Sequence, residues 1–134
     1  MKVREFQGDI EEVLLAPETI AGRVKELGSE ISKDYEGKKI IVIGILKGAL
    51  PFMADLIREI RVPLCYDLMA VSSYGVSTKS SGVVQILKDI EISIENEEVL
   101  IVEDIIDTGL TLRYLVDNIK SRRPAGVKDR KSVV

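Results

Sequence analysis

Glu103, Asp104 and Asp107 place three carboxylates in the stretch VLIVEDIIDTGLTLRYL, between a short apolar run and a segment with helical spacing. Charges at the end of a buried strand are costly unless they are solvated, paired or engaged with a cation. Glu103 and Asp104 are adjacent on an extended segment, so their side chains diverge to opposite faces, which argues against both being helix caps. Asp107 is followed by Thr108, Gly109, Leu110 and Thr111. These small groups and hydroxyls can wrap a phosphate with backbone N–H donors. Carboxylates repel phosphate, but the conflict disappears for a ligand with a phosphate for the 107–111 turn and hydroxyls or Mg²⁺ for the acidic pair. A sugar phosphate fits. The plainer alternative makes Asp107 an N-cap and the pair a solvated edge.

A second segment, GILKGAL at 44–50, sets Lys47 between two glycines on a turn where an anion could lie, the glycines allowing close backbone approach. It lacks the Gly-Lys-Ser/Thr ending of a Walker A loop, which removes support for that type of ATP hydrolysis. Its plainer alternative is a solvated turn lysine. The chain has no histidine, so acid–base work falls to Asp, Glu, Lys or Tyr. With one cysteine, Cys65, an internal disulfide is impossible and a zinc site finds no support; Cys65 reads as a small buried hydrophobe.

The elements that must position these groups follow from periodicity. Pro17–Tyr35 carries Ile20, Val24, Leu27 and Ile31 at helical steps, with Gly37 beyond. KKIIVIGIL at 38–46 suits a strand covered on both faces, and GALPFMADLIREI returns to helical spacing, with Pro51 in its first turn. Strands are expected at about Leu64–Val71 and Val83–Leu87, able to pair as a long-looped hairpin around SSYGVSTKSSG at 72–82. A polar turn at Glu95–Glu98, a buried strand at Val99–Val102 and a helix at Leu110–Lys120 follow, the helix with Leu112, Leu115, Val116 and Ile119 on one side. Alternating strands and helices predict a mostly parallel sheet, whose ligands lie beyond the carboxyl ends of the strands.

The 134 residues, 46% apolar, suffice for one domain spanning 1–134. The net charge of −3 offers no general attraction for nucleic acid or an anionic membrane. No apolar run reaches membrane-spanning length and MKVREFQGDIEE lacks a signal-peptide core, so a cytoplasmic protein is expected.

VLIVEDIIDTGLT strongly resembles the phosphoribosyl-pyrophosphate-binding motif of type I phosphoribosyltransferases, in the form found in the purine-salvage hypoxanthine-guanine enzymes. DIEEVLLAPETIAGRVKELGSEI, GILKGALPFMADLIREI and SSYGVSTKSSG agree with that family in order and spacing, so the resemblance runs from about Asp9 to Lys128. It implies an α/β fold, a twisted and mostly parallel sheet flanked by helices. It further implies Mg²⁺-dependent transfer of the 5-phosphoribosyl group from phosphoribosyl pyrophosphate to a 6-oxopurine, hypoxanthine or guanine, giving IMP or GMP and pyrophosphate. By the same resemblance Glu103 and Asp104 lie at the ribose hydroxyls and the Mg²⁺ region. Asp107 is the acid–base group near N7 of the purine. Asp107, Thr108, Gly109, Leu110 and Thr111 cradle the 5′-phosphate. Lys47 and Gly48 form the pyrophosphate loop, where the family commonly has a non-proline cis peptide at a position matching Leu46–Lys47. The 72–82 loop matches a flexible lid, with Ser73 and Tyr74 its signature and Gly75 and Gly82 as hinges. A homo-oligomer, dimer or tetramer, is implied as well.

The chain departs from the family at its carboxyl end. Relatives continue past the position of Lys128 with an apolar strand and a purine-binding region, whereas this chain reads GVKDRKSVV. The corresponding expectation is a shortened core lacking carboxyl-terminal strand and part of the hood, through truncation or a frameshift near Lys128. A sheet edge so exposed would favour self-association or reduced stability. Neither Lys128 nor Lys131 is assigned to reading the purine 6-oxo group. The rival function is a module that binds phosphoribosyl pyrophosphate or a nucleotide without turnover. An unrelated phosphatase or receiver domain would need a different arrangement of acids.

Overall fold

A computed structural model describes residues 16–73, 84–103 and 110–131. The element order is α1 (Pro17–Asp34), β1 (Ile40–Leu46), α2 (Leu50–Glu59), β2 (Leu64–Ser73), β3 (Val84–Lys88), β4 (Glu98–Glu103), α3 (Leu110–Lys120) and β5 (Gly126–Lys131). The strands form one five-stranded sheet in the order β3-β2-β1-β4-β5. β1 pairs in parallel with β2 and β4, and β4 in parallel with β5, while β2 and β3 form the expected antiparallel pair.

β1 reads as a continuous apolar run because it is central and covered on both faces. Its residues alternate between two cores, as the two-residue period of a strand requires. Ile40 and Val42 join Leu100 and Val102 of β4 beneath α1 and α2, with Val24, Leu27, Ile31, Met53 and Leu56. Ile41 and Ile43 join Val99, Ile101 and Met69 beneath α3, with Leu115 and Ile119. Each such fully buried aliphatic side chain contributes roughly 1.5–3 kcal/mol. α1 follows the expected stripe except at its head, where Ile20 remains 40% exposed. It lies with Pro17, Ala21 and Val24 on the rim of a groove closed by Asp55, Arg58 and Glu59 of α2. The two helices are in close contact at Gly28, where an added Cβ would lie 2.7 Å from the Glu59 carbonyl oxygen.

Three readings from sequence are corrected by the packing. β1 begins at Ile40 and not at Lys38, because Gly37 turns at φ +78° and the Lys38 N–H donates to the Tyr35 carbonyl at 2.9 Å. Cys65 is exposed. It sits near the amino end of β2, and β3 pairs only with Ala70–Ser73, so among the described residues no strand flanks β2 at Cys65 on that side. The polar GVKDRK segment, with no apolar strand pattern, nonetheless forms edge strand β5, from Glu98↔Gly126 to Glu103↔Lys131. Val127 packs on the α3-side core, and on the other face the Lys128 ammonium stands 5.4 Å from the centre of the Tyr35 ring. A backbone ladder needs no apolar sequence, and a cation over an aromatic face adds a modest attraction.

β2 runs two residues past its expected end, to Ser73, because β3 pairs it there (Ser72↔Gln85, Ser73↔Val84) after a register shift at Ala70/Val71. Apart from Ser72 and Ser73, the 72–82 loop lies outside the described residues. No helix among the described residues is long and apolar enough to cross a membrane.

Candidate phosphoribosyl site

Because β1, β2, β4 and β5 are parallel, their carboxyl ends meet at one edge of the sheet. The chain leaves β1 for β2 on one side through α2, and leaves β4 for β5 on the other through α3. The switch point of the sheet therefore lies between β1 and β4, with α2 and α3 on opposite faces, and in sheets of this kind the ligand crevice lies beyond the strand ends at such a point. Both chemistry-bearing segments read from the sequence end there.

The first is the turn after β1. Leu46 is its last strand residue, the Leu46–Lys47 peptide is cis, and Lys47 and Gly48 are exposed. The Leu50 N–H closes the turn onto the Lys47 carbonyl at 3.1 Å, and the Met53 N–H makes the first helical bond to Ala49 at 2.8 Å. α2 starts with no side-chain cap, with Pro51 in its opening turn as expected. Gly44 is not part of this turn. It lies buried within β1, and an added Cβ would meet the Met53 sulfur, with Met53 Cε and Leu68 Cδ2 at 3.3 Å. Its missing side chain serves helix–strand packing rather than backbone approach to an anion, a role hidden in sequence because Met53 lies nine positions away.

The second segment is the end of β4. Glu103 closes the strand, follows Val99 and Ile101 in the row facing α3, and is only 5% exposed. Within β1–β4 pairing, Gly44 stands opposite Val102, so Glu103 falls one residue further toward the carboxyl edge. Leu110 and Thr111 are the first two residues of α3, so the helix starts at the boundary read from its periodicity. Asp104, Asp107, Thr108 and Gly109 lie outside the described residues, as does Tyr74; Ser73 ends β2 at the same edge.

Mg²⁺ takes oxygen ligands and is held by one or two carboxylates together with substrate phosphates rather than by a dedicated protein cage. Among the described residues no group of three or more potential ligands exists, while Glu103 supplies a buried hard oxygen donor at the crevice. The residues present fit the ion in that mode.

The clearest electrostatic perturbation lies outside the crevice. Burial pushes the Asp67 carboxyl up, but N–H donors of Glu91, Leu68 and Ile92 and the Lys88 ammonium outweigh it and hold the group below the usual aspartate value. The bonds from Glu91 and Leu68 are both 2.7 Å. Asp67 thus ties the segment after β3 to β2. Nothing local in the sequence marks this tie, because Glu91 and Ile92 lie about two dozen residues away.

The chain matches the family described as the phosphoribosyl transferase domain over residues 12–129. The hypoxanthine-guanine phosphoribosyltransferase of Bacillus subtilis is 53% identical over 120 residues, which are 90% of this chain and 67% of that protein. The crystal structure of a hypoxanthine phosphoribosyltransferase from Staphylococcus aureus superposes with a TM-score of 0.88 at 46% identity, covering 95% of this chain and 69% of that one. The hypoxanthine phosphoribosyl transferase of Trypanosoma cruzi, studied for the role of its C-terminal region in oligomeric state and enzymatic activity, gives a TM-score of 0.83 at 42% identity over 90% of this chain and 67% of that one. This chain thus spans about two thirds of the length of these relatives. Its sheet order and these likenesses agree: the chain belongs to the phosphoribosyl transferase family of enzymes, alongside the hypoxanthine-guanine phosphoribosyltransferases.

Proposed function

We propose that the chain transfers the 5-phosphoribosyl group of phosphoribosyl pyrophosphate to hypoxanthine or guanine, releasing pyrophosphate, with Mg²⁺ as the required ion. The observation that carries this reading is that the exposed Lys47–Gly48 turn and the buried Glu103 carboxylate lie at the carboxyl ends of the adjacent strands β1 and β4, on either side of the switch point. A purine ring nitrogen forms the new bond to ribose C1 as the C1–oxygen bond to pyrophosphate breaks, and the electron pair leaves with pyrophosphate. Positive charge grows on the sugar while negative charge departs, so catalysis is chiefly a matter of charge placement. Lys47 and the N–H groups of its turn receive the pyrophosphate. Glu103 and Asp104 hold the ribose hydroxyls and would ligate Mg²⁺. Bound there, the ion would offset charge on the pyrophosphate. The turn formed by Asp107, Thr108, Gly109, Leu110 and Thr111 takes the 5′-phosphate, and Asp107 handles the proton at the purine. Ser73 and Tyr74 belong to a segment that excludes water from the reacting sugar. The active form is a dimer or tetramer.

Calorimetry with phosphoribosyl pyrophosphate and Mg²⁺, followed by pyrophosphate-release assays with hypoxanthine, guanine, xanthine and adenine, tests the reading. Mg²⁺-dependent binding with turnover of a 6-oxopurine is expected. Binding without turnover would favour a module that holds the ligand without reacting it, and absence of binding would refute both.

A further inference from the structure

The Lys47–Gly48 turn is held by its two ends. Its helix has no side-chain cap, and Lys47 and Gly48 are exposed. On the strand side, β1 is paired on both edges as far as Gly44, and its last residues stay paired to β2 through Leu46↔Ala70. On the helix side, the position of the first turn of α2 depends on how deeply it seats on the sheet. Ala49 is fully buried and Met53 is 2% exposed, one turn into the helix. Met53 lies over Gly44, where an added Cβ would meet its sulfur, and Leu68, the β2 partner of Gly44, closes the same space. In a close-packed interior a displaced side chain must move its neighbours. Glycine in the middle of a strand costs backbone entropy, and here it permits close approach of another element.

We infer that Gly44 is a positioning residue for the Lys47–Gly48 turn: by lacking a Cβ it admits Met53 against β1, and the depth of that seat sets where the turn's N–H groups stand at the carboxyl edge. The inference rests on the pyrophosphate role proposed for that turn. It separates two functions of one short segment, because Gly44 touches no ligand and Gly48 does.

The test uses Gly44→Ala, Met53→Ala and the double variant in the full chain. Three readouts are needed: the ¹H–¹⁵N amide shifts of Lys47 and Gly48 without ligand, the affinity for inorganic pyrophosphate with Mg²⁺, and the affinity for ribose 5-phosphate. Gly44→Ala is expected to shift both amides and weaken pyrophosphate binding by about tenfold, the effect of roughly 1.4 kcal/mol, with ribose 5-phosphate binding unchanged. Met53→Ala relieves the seat from the other side and shifts the amides as well. The double variant is expected to return pyrophosphate affinity to within about threefold of the parent while melting lower than Gly44→Ala. Restored affinity with reduced stability is a coupling that general destabilisation cannot produce. Unchanged amide shifts in Gly44→Ala, equal weakening of both ligands, or failure of the double variant to recover would each overturn the inference. If Gly44→Ala does not fold, Met53→Ala decides, and unmoved amides there refute it. Should the parent chain bind no phosphoribosyl pyrophosphate or pyrophosphate, the functional reading fails by itself, and the ligand-free amide shifts still decide the role of Gly44.

Discussion

The turn after β1 and the connection from β3 to β4 both lie at the surface over a buried apolar anchor, yet their polar groups are committed differently. In the connection, Ile94 is buried in the α3-side core with Ile90 against it, and polar groups add ties to the rest of the protein. Asp67 accepts from the N–H groups of Glu91 and Ile92, Lys88 donates to the Leu68 carbonyl at 3.0 Å, and Arg122 Nη2 reaches both oxygens of Asp89 at 2.8 and 2.9 Å. The Asn96 N–H adds a bond to the Arg123 carbonyl at 2.9 Å. The turn is likewise carried from below, by Ala49 and Met53 in the core, but its residues Lys47 and Gly48 face outward. Polar groups already committed to protein partners make a support. Groups positioned by apolar packing beneath them stay available to a ligand without reorganisation, which is the physical content of a preorganised site.

Substitutions can break that distinction, since changes in the crevice should cost activity with little stability, and changes in the connection the reverse. The largest effect is expected for Asp107→Asn, which should lower turnover by about 10²–10⁴-fold as an acid–base group is lost. Binding of phosphoribosyl pyrophosphate should persist, and unfolding free energy should stay within about 0.5 kcal/mol; steady-state kinetics alongside denaturant titration would check both. Unchanged turnover would remove Asp107 from the chemistry.

Asp67→Ala should come next, destabilising the fold by about 1–2 kcal/mol through loss of charge-assisted bonds to amides that water can partly re-satisfy. Its pyrophosphate affinity should not change. The same carboxylate gives a pH signature. Its native pKa lies below the unfolded value of about 3.9, so its contribution is fully present above that value and is lost as pH falls through the depressed native pKa. Urea titrations between pH 6 and 3 should show a weaker acid dependence in Asp67→Asn than in the parent. The smallest effect belongs to Arg122→Ala. The pair with Asp89 is partly exposed, with side-chain accessibilities of 27% and 48%, so a loss of about 0.5–1 kcal/mol that shrinks in high salt is expected.

Much of the architecture was legible because the strongest elements carry redundant signals. α3 begins and ends at the residues its spacing marked, and α1 and β1 differ from expectation by one or two residues at an end. The candidate site was legible as motifs: the acidic end of β4 and the Lys47 turn lie at one sheet edge, as an alternating α/β chain requires. Other features were hidden because their causes are distant in sequence. Gly44 read as a ligand-approach glycine and is a packing glycine, since its neighbours Met53 and Leu68 come from α2 and β2. Cys65 read as buried, and the short reach of β3 leaves it exposed. β5 gave no apolar signal because its backbone ladder to β4 does not depend on side-chain type.

Residue types and their order were enough to establish the alternation of strands and helices, the two-sided burial of β1 and β4, the absence of histidine and the acidic segment at the end of β4. Those properties arise from local periodicity and side-chain chemistry, which a linear chain displays directly. Strand order, the switch point between β1 and β4, the seating of Met53 on Gly44 and the Asp67 clamp came from the folded arrangement. Each depends on contacts between segments far apart in the chain, and packing decides among the pairings that local preferences leave open.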